Sequence, residues 1–81
     1  MIYSSKELGH LILFHRKKSG LSRIDLARIA GVGKTAVYDI EHGKLTVQLE
    51  TVTRILDVLN IAIHLESPFM SQYEKVVHEK G

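Results

Sequence analysis

Apolar residues fall at helical spacing in four successive blocks, separated by polar residues and glycines. In the first block Leu8, Leu11, Ile12 and His15 share one face of a helix opened by Ser4 and ended by Gly20, the spacing of an amphipathic helix. Ser4 with Glu7 three residues later forms a capping box. Leu13 lies away from that face and Phe14 at its flank. Both are either scattered surface apolars or a protein-contact patch. The second block predicts a helix over 22–30, capped by Ser22 and Asp25, with Leu26, Ala27 and Ala30 inward. Its small alanines allow a neighbouring helix to cross closely. The third is a helix of two to three turns after Gly31, with Val37 and Ile40 inward and Gly43 as its stop. The fourth runs over about 47–59, with Leu49, Val52, Ile55, Leu56 and Leu59 inward.

The period then changes. Ile61, Ile63 and Leu65 alternate with less apolar residues, which predicts a half-buried strand over 61–66. No other stretch reads convincingly as a strand, and a lone strand leaves its edges open. Two identical strands related by a twofold axis pair antiparallel, so the expected partner is the same strand of a second copy in a homodimer. The short apolar stretch Met1-Ile2-Tyr3 is the competing partner. Pro68 closes this element, and Phe69, Met70, Tyr73, Val76 and Val77 recur at helical spacing in a tail that is flexible or a short helix. The organisation expected is a domain over 1–66 and a tail over 67–81.

At 81 residues there is room for one small domain. Such a domain buries only roughly 60–65% of its unfolded surface and gains from association. The absence of Cys excludes disulfides, thiolate metal sites and a thiol nucleophile. The longest unbroken apolar run, residues 11–14, is too short for a membrane span or a signal-peptide core, and the expected location is the cytoplasm. The formal net charge of +2 is unevenly spread: residues 16–44 carry seven basic and three acidic side chains, a net of +4, and the remainder carries −2. Positive charge therefore collects on the second and third blocks.

The histidines His10, His15, His42, His64 and His78 show no metal-ligand spacing, and no nucleophile or phosphate-loop motif is present. The expectation is no metal, no cofactor and no enzyme. Two short helices joined by a Gly-containing turn instead suit a helix-turn-helix, whose second helix enters the major groove of DNA. Ser22 at a helix start presents free N–H groups and a hydroxyl to phosphate, and Arg23 beside it can clamp a phosphate or reach a base. Tyr38 can contact a phosphate or a base, and Asp39 can accept from cytosine N4 although it repels nearby phosphates. Lys44, with Arg28 and Lys17, are the candidates for salt-sensitive backbone contacts.

The run Leu21-Ser22-Arg23-Ile24-Asp25-Leu26-Ala27-Arg28-Ile29-Ala30-Gly31-Val32, followed by Val37-Tyr38-Asp39-Ile40-Glu41-His42-Gly43-Lys44, resembles the Cro/phage-repressor or XRE type of helix-turn-helix. The resemblance covers about residues 4–65. It implies a mainly α, four-to-five-helix domain with one C-terminal β-strand pairing across a homodimer. It puts Lys34 and Thr35 in the base-reading places, able to donate to guanine O6/N7 and to meet a base edge or a thymine methyl. It implies a partly buried ion pair between Arg16 and Glu41. At Arg23 the family usually has Gln, a departure that leaves the contact of this arginine open.

One small helix-turn-helix followed directly by 61–66 and a short tail, with the opening Met1-Ile2-Tyr3-Ser4-Ser5-Lys6-Glu7-Leu8-Gly9, is similar to the HipB-type antitoxins. That resemblance implies a transcriptional repressor on a palindromic operator that autoregulates its operon and neutralises a HipA-type serine/threonine kinase toxin. The alternative is a stand-alone phage-type or XRE-family dimeric repressor with no toxin partner.

Overall fold

The computed structural model describes residues 4–44 and 46–80. The opening stretch Met1–Tyr3, read as a possible strand partner, lies outside them. The described residues form five helices: α1 (Ser5–Lys18), α2 (Arg23–Ala30), α3 (Lys34–Glu41), α4 (Leu49–Val58) and α5 (Met70–Lys80).

Local chemistry sets the boundaries. The Ser4 hydroxyl accepts from the Glu7 N–H at 3.2 Å, and the Ser22 hydroxyl accepts from the Asp25 N–H at 3.0 Å. Each satisfies one of the backbone donors that a helix start leaves unpaired. Gly31 ends α2 in the left-handed conformation at φ +72°, and Gly43 follows α3 at φ +78°, a region where side chains other than glycine are strained.

Ile12, Leu26, Ala27, Ala30, Val37, Ile40, Ile55, Leu56 and Leu59 form one buried cluster. Helix α3 packs on α1 and α2, and α2 also packs on α4. At Gly9 of α1 an added Cβ would land on the main-chain carbonyl oxygens of Ile40 and Glu41. Hydrogen at this position therefore lets α1 lie directly against the last turn of α3.

Three expectations are corrected. Residues 61–67 carry no regular secondary structure, and no strand occurs among the described residues. A ladder needs a second strand, and the described part of one chain supplies none. Ile63 and Leu65, expected to be half-buried, are 52% and 75% exposed, while Ile61 packs against the core. Leu49, expected inward, is the first residue of α4 and is 74% exposed.

The tail contains α5. Its apolar residues Tyr73, Val76 and Val77, and Phe69 just before it, are exposed. Phe14 is exposed as well, and Leu13 is half-buried.

Candidate nucleic-acid interface

The start of α2 and the outer face of α3 enclose an open hollow of about 590 Å³, lined by Ser22, Arg23, Ile24, Lys34, Thr35 and Tyr38, with Arg16 at its inner edge. Lys34 and Thr35 occupy the first turn of α3 and are exposed. Val37 and Ile40 anchor the opposite side of the helix in the core, so the remaining face is held outward. Gly33 caps α3 with no side-chain acceptor, which leaves first-turn N–H groups open to an outside anion.

Beneath this face lies a three-membered ion cluster. Arg16 Nε donates to Glu41 Oε2 at 2.6 Å, and Arg16 Nη2 donates to Glu41 Oε1 at 3.3 Å. Arg16 Nη1 also donates to the Leu21 carbonyl at 2.9 Å. Arg23 Nε donates to Glu41 Oε1 at 2.8 Å. The Glu41 side chain is 1% exposed, that of Arg16 8% and that of Arg23 42%. Burial alone raises the pKa of Glu41. The hydrogen bonds and charges of Arg16 and Arg23 outweigh it and hold the carboxyl below its ordinary value. The cluster thus ties α1, α2 and α3 together at the root of the exposed face.

The candidate DNA-contacting residues divide into two groups. The hollow gathers Ser22, Arg23, Lys34, Thr35 and Tyr38; Lys17, Arg28, Asp39 and Lys44 do not line it. Arg28 Nη2 lies 3.6 Å from Asp25 Oδ1, on an exposed flank of α2. Asp39 is half-buried and its Oδ2 lies 3.4 Å from Lys44 Nζ, so each has an intramolecular partner. Lys17 is exposed near the end of α1.

Two neighbours of this face were not legible as site residues. Ile24 is 63% exposed and adds an apolar wall to the hollow. His42 stacks on Tyr38, with ring centroids 3.9 Å apart and an interplanar angle of 23°. An exposed isoleucine one residue past Arg23 was the only sequence signal for the first. His42 lies four residues after Tyr38, the spacing of same-face helical neighbours.

As a surface, this arrangement offers an amine, hydroxyls, helix-start N–H groups and apolar contact on one exposed helix. That is the chemistry that reads base edges and phosphates. Among the described residues no group of His, Asp and Glu is arranged to hold a metal ion. No helix there is long and apolar enough to cross a membrane.

Comparison with known proteins agrees with the geometry. The helix-turn-helix family matches residues 15–65. The chain is 34% identical over 67 residues to the uncharacterized HTH-type transcriptional regulator y4mF of Sinorhizobium fredii (strain NBRC 101917 / NGR234), covering 83% of this chain and 88% of that protein. It is 32% identical over 60 residues to the ImmF control region 10 kDa protein of Bacillus phage phi105, covering 74% of this chain and 67% of that one. This chain therefore belongs to the XRE-type helix-turn-helix family of DNA-binding transcriptional regulators. Among solved structures its fold is similar to that in a HipB-O4 20mer complex, with TM-score 0.73, 24% identity and coverage of 84% of this chain and 96% of that one. It is equally similar to a chain in a HipA-HipB-O2-O3 complex, with TM-score 0.74, 24% identity and the same coverages.

Proposed function

We propose that this protein is a homodimeric, sequence-specific repressor that autoregulates its own operon as the antitoxin of a HipA/HipB-like module. In this reading Lys34, Thr35 and Tyr38 read bases, Ser22 and the helix starts hold phosphates, and Lys17, Arg28 and Lys44 supply outlying backbone contacts. Arg16 and Glu41 hold the frame.

The observation that carries the DNA-binding part is the hollow between α2 and α3. It gathers five of the nine candidate DNA-contacting residues on one exposed face above a buried ion cluster.

The dimer is supported by an apolar groove of about 410 Å³ on another side of the molecule, lined in part by Leu8, Leu11, Leu49, Val52, Leu56 and Ile61. The segment that follows α4 borders it through Ile61 and the exposed Ala62, Ile63 and His64. In the proposed dimer, Ile61, Ile63 and Leu65 become a strand only on pairing with the symmetry mate, the ladder partner that the described residues of one chain do not supply. The twofold axis then sets two recognition helices about 34 Å apart, matched to a palindromic operator.

The antitoxin part is supported by the fold shared with HipB, which reaches into the region beyond α4. The partner would be a HipA-like serine/threonine kinase. A second reading, a phage-type repressor without a toxin, is favoured by the identity with the phage phi105 protein.

Affinity capture of the tagged full chain from its own cells, with bound protein and DNA both identified, separates the two. The antitoxin reading expects a kinase-like protein in stoichiometric amount together with the chain's own promoter. Promoter DNA with no stoichiometric protein partner refutes it and leaves the stand-alone repressor.

A further inference from the structure

Arg23 is the first residue of α2, and its guanidinium is already engaged through Nε. Its Nε donates to the buried Glu41 carboxylate at 2.8 Å, and its Cζ lies 5.4 Å from the centre of the Tyr38 ring. Beside that ring the His42 imidazole stacks at 3.9 Å. His42 is itself tied down, with Nδ1 2.7 Å from the Tyr38 carbonyl oxygen. A carbonyl oxygen only accepts, so Nδ1 donates in that bond.

We infer that Arg23 is a positioning residue, anchored by Glu41, which together with His42 clamps the Tyr38 ring so that Tyr38 presents one fixed edge to a base pair. The inference rests on the reading of α3 as the DNA-facing helix.

Tyr38 is half exposed, and an unclamped tyrosine on a helix surface samples several rotamers. A guanidinium within cation–π range of the ring and an imidazole stacked on it restrict it. The clamp is rooted in the ion cluster, because the carboxylate that orients Arg23 also holds Arg16 across from α1. A side chain fixed before binding loses less freedom on binding, so its discrimination between bases is sharper. The Arg23 Nε–H is spent on the buried carboxylate while its side chain is still 42% exposed, so the salt dependence of an Arg23 variant decides between a positioning role and a phosphate contact.

The test uses the full chain and duplexes enriched from a randomised library by the unaltered protein. NMR of the DNA-free protein should show Arg23 and His42 side-chain protons shifted by the Tyr38 ring, and Tyr38→Leu should return them to ordinary positions. Absence of those shifts overturns the clamp without touching the DNA reading.

On the enriched duplex, Tyr38→Leu should relax discrimination at one base-pair position by about tenfold. Arg23→Gln should relax the same position by a similar factor, leave the slope of log affinity against log salt unchanged, and add little to Tyr38→Leu in the double variant. Arg23→Lys keeps the charge without the planar guanidinium and should fail to restore discrimination. If Arg23→Gln instead lowers the salt slope by about one, spares base discrimination and is rescued by Arg23→Lys, Arg23 is a phosphate ligand and the inference is overturned. Failure of the unaltered chain to enrich any duplex overturns the DNA reading, and this inference with it, whatever the spectra show.

Discussion

The crossing of α1 over α3 makes Gly9→Ala a sharp perturbation. In a helix interior, alanine is favoured over glycine by about 0.8–1.0 kcal/mol. Propensity alone therefore predicts a more stable protein. The structure predicts the opposite, because the new methyl would meet the carbonyl oxygens of Ile40 and Glu41. These are main-chain atoms in the last turn of α3, so no rotamer change can clear them.

Overpacking costs about 1–3 kcal/mol where side chains can adjust, and this site belongs at the upper end. Subtracting the propensity gain leaves a net loss of about 2 kcal/mol. For a domain of this size each kcal/mol shifts Tm by about 4–8 °C, so Gly9→Ala should lower Tm by roughly 8–16 °C. Thermal unfolding followed by circular dichroism measures it. Gly33→Ala is the control: its added Cβ meets open space, and only a modest cap loss of under about 1 kcal/mol is expected. An unchanged or higher Tm for Gly9→Ala would refute the close crossing.

The remaining predictions concern the ion cluster and the exposed face. Glu41→Ala leaves Arg16 buried without its carboxylate and should destabilise by about 3–5 kcal/mol, read by urea titration; an unchanged midpoint would remove the pair from the structural account. Because the Glu41 pKa is lowered on folding, the folded state binds fewer protons at this site than the unfolded state does. Its contribution is present above the ordinary carboxylate range and is lost as pH falls through the lowered folded value. Stability measured from pH 6 downward should therefore fall less steeply in Glu41→Gln than in the parent, and identical acid limbs would contradict that origin. Arg28→Ala breaks only an exposed pair and should change stability by under about 0.5 kcal/mol in the same titration.

The readable parts of the fold were those written in local chemistry. Ser4 and Ser22 announce helix starts because their hydroxyls have a backbone donor within reach. Gly31 and Gly43 announce stops because the chain turns left-handed there. Val37 and Ile40 reveal the inward face of α3 by spacing alone. What the pattern could not supply was long-range. Gly9 looks like a weak point in α1 until α3 is laid across it. Arg23 reads as clamping a phosphate or reaching a base, and its bond to Glu41 is not legible from local spacing because the acceptor lies 18 residues away, on the far end of another helix. Leu49, Ile63 and Leu65 carry apolar patterning that the described residues leave exposed, since periodicity shows that a face is to be covered and not by which molecule. In α5 the helical spacing was visible, but its apolar residues Tyr73, Val76 and Val77 are exposed among the described residues.

The central claim is that the face formed by α2 and α3 reads DNA as one half of a symmetric dimer. Its most direct measurement is selection of duplexes by the full chain, followed by binding stoichiometry and affinity for the selected sequence, with Lys34→Ala/Thr35→Ala in parallel. The account predicts an inverted repeat with half-sites about 10 base pairs apart, two chains per duplex, and loss of specific binding in the double variant without a change in Tm. No enriched sequence, or full affinity in the double variant, would contradict it.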